Sequence, residues 1–327
     1  MLGPQDVGHR VVVRRIVGVR GNRPVFSDAL GELLDFDSTG LTVATRHGPV
    51  RISHDTIQTA KRVPPRTVDT ARLERIATAA WPAPDTEPLG QWTLRAAGGW
   101  TGRANSAMPI GDPGLPLADA IDAVEAWYRA RGLAPRINVP LPLCADLDAA
   151  LDARGWARSV PTLVQTAPIA TVLAGAGPRP DLPPVRLDPA PDDAWLAVVA
   201  RRKGGLPDAA RHVLTAAPLV ACASVDRDLA VARGAVVRDF LHLALVEVAE
   251  PARGRGLARH VTRALAEWGR SEGAGTAFLQ VESTNLPAVT LYGSLGFRTH
   301  HPYVTRTART SGVPPGAAWR ASAGCSA

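Results

Sequence analysis

Lysine is nearly missing from this chain: among 327 residues there are two, Lys61 and Lys203, and the other basic residues are arginine. The formal net charge of +7 is therefore spread over scattered guanidiniums, with no run that would mark a nucleic-acid surface, so nucleic acid is not expected as a partner. Cysteine is almost as scarce. Cys144, Cys222 and Cys325 are odd in number and show no CxxC spacing, which speaks against a disulfide framework and a zinc site and leaves metal out of the expected chemistry. Nor is there a stretch of about 18 apolar residues, and the opening "MLGPQDVGHR" meets an acid and a histidine before an apolar core could form. The expectation is a protein with reduced thiols in the cytoplasm, without signal peptide, membrane span or membrane partner.

What the chain does have is a globular composition, 46% hydrophobic and 20% charged, and a length that suits two or three domains. Residues 1–63 contain "HRVVVRRI", "LTVATR" and "PVRISH", short β-branched runs parted by turn signals such as "DSTG". They predict a small all-β barrel that resembles an SH3-like domain. "RVPPRT" reads as a linker, since consecutive prolines continue neither ladder nor helix. A second Pro- and Gly-rich stretch, residues 173–193, divides the remainder into segments 67–172 and 184–307, and residues 308–327 carry no core pattern and read as a disordered tail.

The two larger segments repeat one another. "AWYRARGLAPRINV" followed by "LDARGW" parallels "EWGRSEGAGTAFLQV" followed by "YGSLGF", and 28 positions separate Trp127 from Gly155 as they separate Trp268 from Gly296. Each segment is read as one copy of a common αβα unit, offset by 141 residues.

In the second copy, "FLHLALVEVA" is a nearly continuous apolar run, as expected of a strand buried on both faces. After it, Leu257, Val261, Leu265 and Trp268 fall on one helical face, so "RGRG" occupies a strand-to-helix turn. Such a turn presents first-turn N–H groups and the positive end of the helix dipole, and glycines let backbone close on an anion. It is either a diphosphate cradle or a plain tight turn capped by arginines. No GK[ST] or GxGxxG accompanies it, which excludes the common nucleotide loops.

Read as RxxGxA from Arg253 through Gly256 to Ala258, the loop resembles the acyl-CoA motif of the GCN5-related N-acetyltransferases. "NLPAVTLYGSLGF" resembles that superfamily's second signature at Asn285, Ala288, Leu291, Tyr292, Leu295, Gly296 and Phe297. The resemblance covers residues 184–307 and implies an α/β (α+β) fold, with acetyl-CoA as cosubstrate and a primary amine as acceptor. It places the pyrophosphate on Arg253, Gly254, Arg255, Gly256, Leu257 and Ala258, and the pantetheine on backbone groups of Val246 and Val248. In the first copy the offset sets Asp112, Pro113 and Leu115 against Arg253, Gly254 and Gly256, and Leu151 against Tyr292. A carboxylate repels a diphosphate and proline lacks an N–H, so the first copy is expected to be degenerate. Tandem copies behind a barrel resemble an actinobacterial type of this superfamily.

An ammonium nucleophile of pKa about 10.4 must lose a proton at a cost of roughly 4.6 kcal/mol at pH 7, and a thiolate leaving group gains from a donor. The resemblance gives Tyr292 the donor role. Asn285 either bonds the pantetheine arm or caps the following helix. For the base, His242 and then Glu282 are the candidates, with Glu247 behind them, although His242 reads first as a satisfied sheet histidine. Arg103, Asn105 and Ser106 in "WTGRANSAMPIG" either line an acceptor cleft or satisfy loop backbone. A small amine, a peptide N-terminus and a protein lysine all fit as acceptor, and oligomeric state is left open. Two other functions fit the same residues: an acyl-CoA sensor or adaptor using the barrel to bind partners, and a nucleic-acid adaptor.

Overall fold

The computed structural model of the chain describes residues 2–309 apart from 9, 22, 46–47, 64–66, 204 and 227. The heart of the "RVPPRT" linker and all but the first two residues of the tail therefore lie outside the described residues. The chain divides into two compact units, residues 1–66 and 67–327.

The first unit is one antiparallel sheet of β1 (Arg10–Arg20), β2 (Arg23–Phe36), β3 (Gly40–Thr45), β4 (Gly48–Ser53) and β5 (Ile57–Arg62), in the order β4-β3-β2-β1-β5. Alternation in "RVVV" and "GLTV" turns Val11, Val13, Leu41 and Val43 to one face, where they bury with Leu33 and Ile52. The ring expected of a barrel is not closed: β4 and β5 stand at opposite ends of the sheet, with no pairing between them among the described residues. Their link is a 3₁₀ turn at His54–Thr56, which swings the chain round without folding it back as a hairpin would.

In the second unit the first copy runs α1 (Thr67–Ala80), β6 (Asp85–Leu89), β7 (Trp92–Ala96), α2 (Leu117–Ala130), β8 (Arg136–Pro140), α3 (Ala145–Ala153), β9 (Ala157–Arg158) and β10 (Thr162–Pro168). The chain passes through α4 (Ile169–Gly175) into the second copy, β11 (Val185–Asp188), α5 (Asp193–Lys203), α6 (Asp208–Thr215), β12 (Leu219–Val225), β13 (Ala230–Val237) and β14 (Phe240–Val248). It ends with α7 (Leu257–Ser271), β15 (Thr276–Glu282), α8 (Leu286–Ser294) and β16 (Arg298–Thr307). On the offset of 141, α2 falls on α7, β8 on β15 and α3 on α8. The counterpart of β14, residues 99–107, is a loop and short 3₁₀ turn instead of a strand.

The copies share one nine-stranded sheet, ordered β11-β12-β13-β14-β15-β10-β16-β8 with β9 beside β16. They have exchanged their last strands. β10 of the first copy pairs with β15 of the second, Thr162 opposite Glu282, while β16 of the second copy pairs with β8 of the first, Tyr303 opposite Pro140. The cores follow the exchange: Val304 of β16 packs with Ile121, Val124 and Leu147, and Ala167 of β10 packs with Leu241, Val261 and Leu265. Residues 173–193 therefore lie within one unit and take in the end of α4 and the whole of β11, because each copy's sheet is completed by the other. On one face α7 covers β12–β14 through Leu257, Val261 and Leu265; on the other, α1 covers β13 and β14, with Leu73 and Ile76 against Ala235 and Phe278.

Candidate active site

β14 and β15 are parallel neighbours only over Phe240–Leu243 and Thr276–Leu279. Beyond that the pairing stops. Leu245 adopts φ +53, a left-handed conformation that costs a leucine about 1–2 kcal/mol, and the β13–β14 register shifts between Val231 and Arg233. This bulge turns β14 away from β15 and opens the sheet. The opening is a cavity of about 470 Å3, lined on its two strand edges by Leu243–Glu247 and Leu279–Glu282.

At its inner end stand the motif residues. Tyr292, on α8, lines the cavity; it is 6% exposed and its ring meets that of Phe297 edge-on at 5.6 Å. Asn285 caps α8, its Oδ1 accepting from Ala288 N at 3.3 Å, and also reaches the cavity wall. The helix-capping reading is thus realised without removing the residue from the site. Val246 lines the cavity as well, while Val248 borders a second recess of about 220 Å3 whose rim is Arg253, Gly254, Gly256, Leu257 and Ala258.

That recess has the features of an anion cradle. Gly254 and Gly256 have φ of +76 and +85, and Gly256 is the N-cap of α7, so the loop turns its backbone toward the helix N-terminus. A Cβ on Gly256 would collide with Nη1 of Arg179, which donates to Arg255 O at 3.3 Å. Arg253 lies 3.9 Å from Glu250, a loose exposed pair that leaves its guanidinium available, and Arg255 is exposed. Donor type, glycine conformation and helix end all suit a diphosphate.

The corresponding first-copy loop is tied to itself. Asp112 Oδ1 accepts from Gly114 N at 2.8 Å, Gln91 Oε1 accepts from Asp112 N, and Pro113 packs against Gly90. An internal carboxylate thus takes the N–H that an anion would need. Leu151, in the place of Tyr292, is fully buried core.

Of the three proposed proton-handling residues, Tyr292 and Glu282 line the cavity and His242 does not. His242 lies inside the wall, fully buried and stacked on Phe278 at 4.8 Å. Its Nε2 is 3.2 Å from Arg103 Nη1 and 3.0 Å from Gln280 Oε1, and both of those residues do line the cavity. Burial, reinforced by the charges of Arg103 and Arg233, holds its pKa well below the ordinary histidine value, so the ring is neutral. Glu247 is 8% exposed and also faces the cavity.

The loop that replaces a strand in the first copy closes the far wall. Asn105 is consumed by backbone, accepting from Ala97 N and Gly99 N and donating to Trp100 O and Thr101 O, all at 2.8–2.9 Å. Ser106 binds Arg95. Arg103 instead reaches the cavity, its guanidinium over the Trp81 ring at 5.6 Å. Trp81, Gln280, Leu245 and Arg136 are site residues that the motifs did not indicate. Arg136 is merely the first residue of a strand in sequence, and it enters the cavity only because β16 carries the sheet past β15 to β8. Desolvation pushes the thiols of the half-buried Cys144 and the buried Cys222 up to about 12, which disfavours the thiolate at neutral pH. Among the described residues no helix is long and apolar enough to cross a membrane, and no three metal-ligating side chains cluster.

A strand pair that splays at a bulge, a glycine turn at a helix start, and a helical tyrosine at the fork make up the site of an acyltransferase. The fold is also that of a GCN5-related N-acetyltransferase from Kribbella flavida, with a TM-score of 0.54, 14% identity, and coverage of 75% of this chain and 95% of that one. The family model described as probable histone acetyltransferase Rv0428c C-terminal matches residues 67–305, beginning where the second compact unit begins. The chain is 33% identical over 315 residues to the probable histone acetyltransferase Rv0428c of Mycobacterium tuberculosis, covering 92% of this chain and 95% of that protein. It is 29% identical over 250 residues to the uncharacterized N-acetyltransferase YobR of Bacillus subtilis, covering 73% of this chain and 99% of that protein. The chain belongs to the family of that probable histone acetyltransferase.

Proposed function

We propose that the chain transfers an acetyl group from acetyl-CoA to a primary amine by direct attack, in the second copy alone. The observation that carries this reading is the succession of the two recesses along β14, with Val248 at the glycine loop and Val246 at the cavity that Tyr292 lines. Arg253–Ala258 would hold the diphosphate, and backbone groups around Val246 and Val248 the pantetheine. When bound, acetyl-CoA supplies the activated acetyl group and a thiolate leaving group. Tyr292 would give a proton at the sulfur through its Oη. Glu282 and Glu247, which line the same cavity, would take one from the acceptor ammonium, directly or through water, which lowers the roughly 4.6 kcal/mol cost of deprotonation at pH 7. His242 acts as a support for Gln280 and Arg103.

The first copy's part is to supply the far wall and β10. For residues 1–66 the five-strand order and the 3₁₀ turn before β5 support an SH3-like module of the kind found in actinobacterial relatives, serving partner binding. The free thiols of the half-buried Cys144 and the buried Cys222 support a cytoplasmic setting.

Calorimetric titration of the full chain with acetyl-CoA tests the core of the proposal. One-to-one binding, weakened at least 100-fold in Gly256→Asp, is expected. A parent chain that takes up no acetyl-CoA overturns it.

A further inference from the structure

We infer that the amine acceptor is a small zwitterion, carrying a carboxylate or phosphate at the end remote from its amine, and that Arg136 binds that anionic end. The inference rests on the acetyltransferase reading above and adds the class of acceptor.

The cavity's charges are sorted by position. The carboxylates Glu247 and Glu282 stand at the ends of β14 and β15, on the side of Tyr292. Guanidiniums also line the cavity, all from the first copy: Arg136 and Arg158 across the sheet on β8 and β9, and Arg103 beside His242 of β14. Arg158 is already engaged by Asp148 at 2.5 Å. Arg103 and Arg136 form no ion pair with any described residue, and Nε of Arg103 is buried without a hydrogen-bond partner. A half-buried guanidinium with no counter-charge is costly unless a ligand supplies one.

The field behind the wall has the same sign. Arg95 and Arg233, both fully buried, bond only to neutral oxygens: Arg95 to Ser106 O and Oγ and Thr78 Oγ1, Arg233 to Leu214 O and Ala80 O. Arg233 and Arg103 both lie over the ring of Trp81, which lines the cavity, and add positive charge behind it.

Register gives the ligand's length. Glu282 lies opposite Thr162, Thr162 opposite Tyr303, and Arg136 opposite Thr307, three strands across from Glu282 and four residues further along β16. At a strand spacing of about 4.8 Å and a rise of about 3.3 Å, the two backbones are roughly 20 Å apart. The side chains reach inward from both ends, leaving room for an amine and an anion separated by a short chain. The cavity's volume of about 470 Å3 also suits a small molecule. A lysine-rich peptide would bring more positive charge to a wall already unbalanced in that sense.

The test uses the full chain with acetyl-CoA and four acceptors of matched length: 6-aminohexanoate, 6-aminohexyl phosphate, 6-aminohexanoate methyl ester and 1,6-diaminohexane. A lysine-rich histone-tail peptide is the fifth. Initial rates of thiol release should give the carboxylate or the phosphate a kcat/KM at least 10-fold above the ester and the diamine, and the ratio of the first two identifies the anion. In Arg136→Gln, KM for the anionic amine should rise about 10- to 100-fold with kcat little changed, while the ester is unaffected. Acetyl-CoA affinity, measured alongside, should be the same in variant and parent. Titration of the two anionic amines without acetyl-CoA, with affinity lost in Arg136→Gln, reads the anion site independently of turnover. The inference is overturned if the peptide is the best acceptor, if the substitution weakens charged and neutral amines alike, or if neither anionic amine binds or reacts. Loss of acetyl-CoA binding in the parent chain, by contrast, counts against the acetyltransferase reading.

Discussion

Nη1 of Arg103 stands 3.2 Å from Nε2 of His242, joining the loop that replaces a strand in the first copy to the splayed strand of the second. The imidazole is held between this guanidinium, the Gln280 amide and the Phe278 ring, and no wall of the cavity is made by it.

This placement predicts a stability effect with a definite sign. The folded pKa of His242 lies well below the unfolded value of about 6.5, because burial and the charges of Arg103 and Arg233 disfavour the imidazolium. The unfolded chain therefore binds the extra proton. Stability from this group is full above pH 6.5 and is lost as pH falls toward the folded value, at up to about 1.4 kcal/mol per unit. In urea melts between pH 7 and pH 5, His242→Gln should lose less stability than the parent, and its pH–rate profile should keep the parent's shape. Disappearance of an inflection near neutrality in the variant would instead make His242 the titrating base.

Tyr292→Phe should lower kcat by about 100-fold or more, the usual size of a lost general acid, with acetyl-CoA affinity within about 3-fold of the parent. Stopped-flow rates of thiol release and calorimetry on the same preparation separate the two effects. An unchanged kcat would assign the tyrosine to packing against Phe297.

Arg306 of β16 bonds Asp148 at 2.7 Å, Asp152 at 3.0 Å and Trp156 O at 3.1 Å, all in the first copy, and its side chain is 2% exposed. Arg306→Met leaves the Trp156 carbonyl without its donor where the exchanged strand meets α3, while Asp148 keeps Arg158 and the exposed Asp152 returns to water. A loss of about 2 kcal/mol is expected, read as a lower urea midpoint at unchanged slope. A shift below about 1 kcal/mol would mean that solvent satisfies the carbonyl in the variant.

The local parts of this architecture were legible because local chemistry encodes them. The offset of 141 follows from helix faces and helix-ending glycines, so α2 and α7, and α3 and α8, match in register. The glycine turn and the cap at Asn285 follow from backbone conformation and hydrogen bonding at a helix end. The strand exchange did not follow, because either final strand has the same alternation and nothing local says which neighbour it will choose. The bulge at Leu245 was hidden for a related reason: a leucine with positive φ is imposed by tertiary packing and leaves no residue-type signal. The acceptor wall is built from what the first copy lost, and a missing strand is read in sequence only as a weak match.

The crossed strands also bear on the order of synthesis. β16, residues 298–307, is the last strand of the second unit to be made, yet Val304 belongs to the core formed by α2 and α3, more than 150 residues earlier. The first copy stays open along β8 until nearly the whole second unit has been made. A truncation that removes those ten residues should therefore unravel the copy that begins at residue 67 rather than the one it shortens.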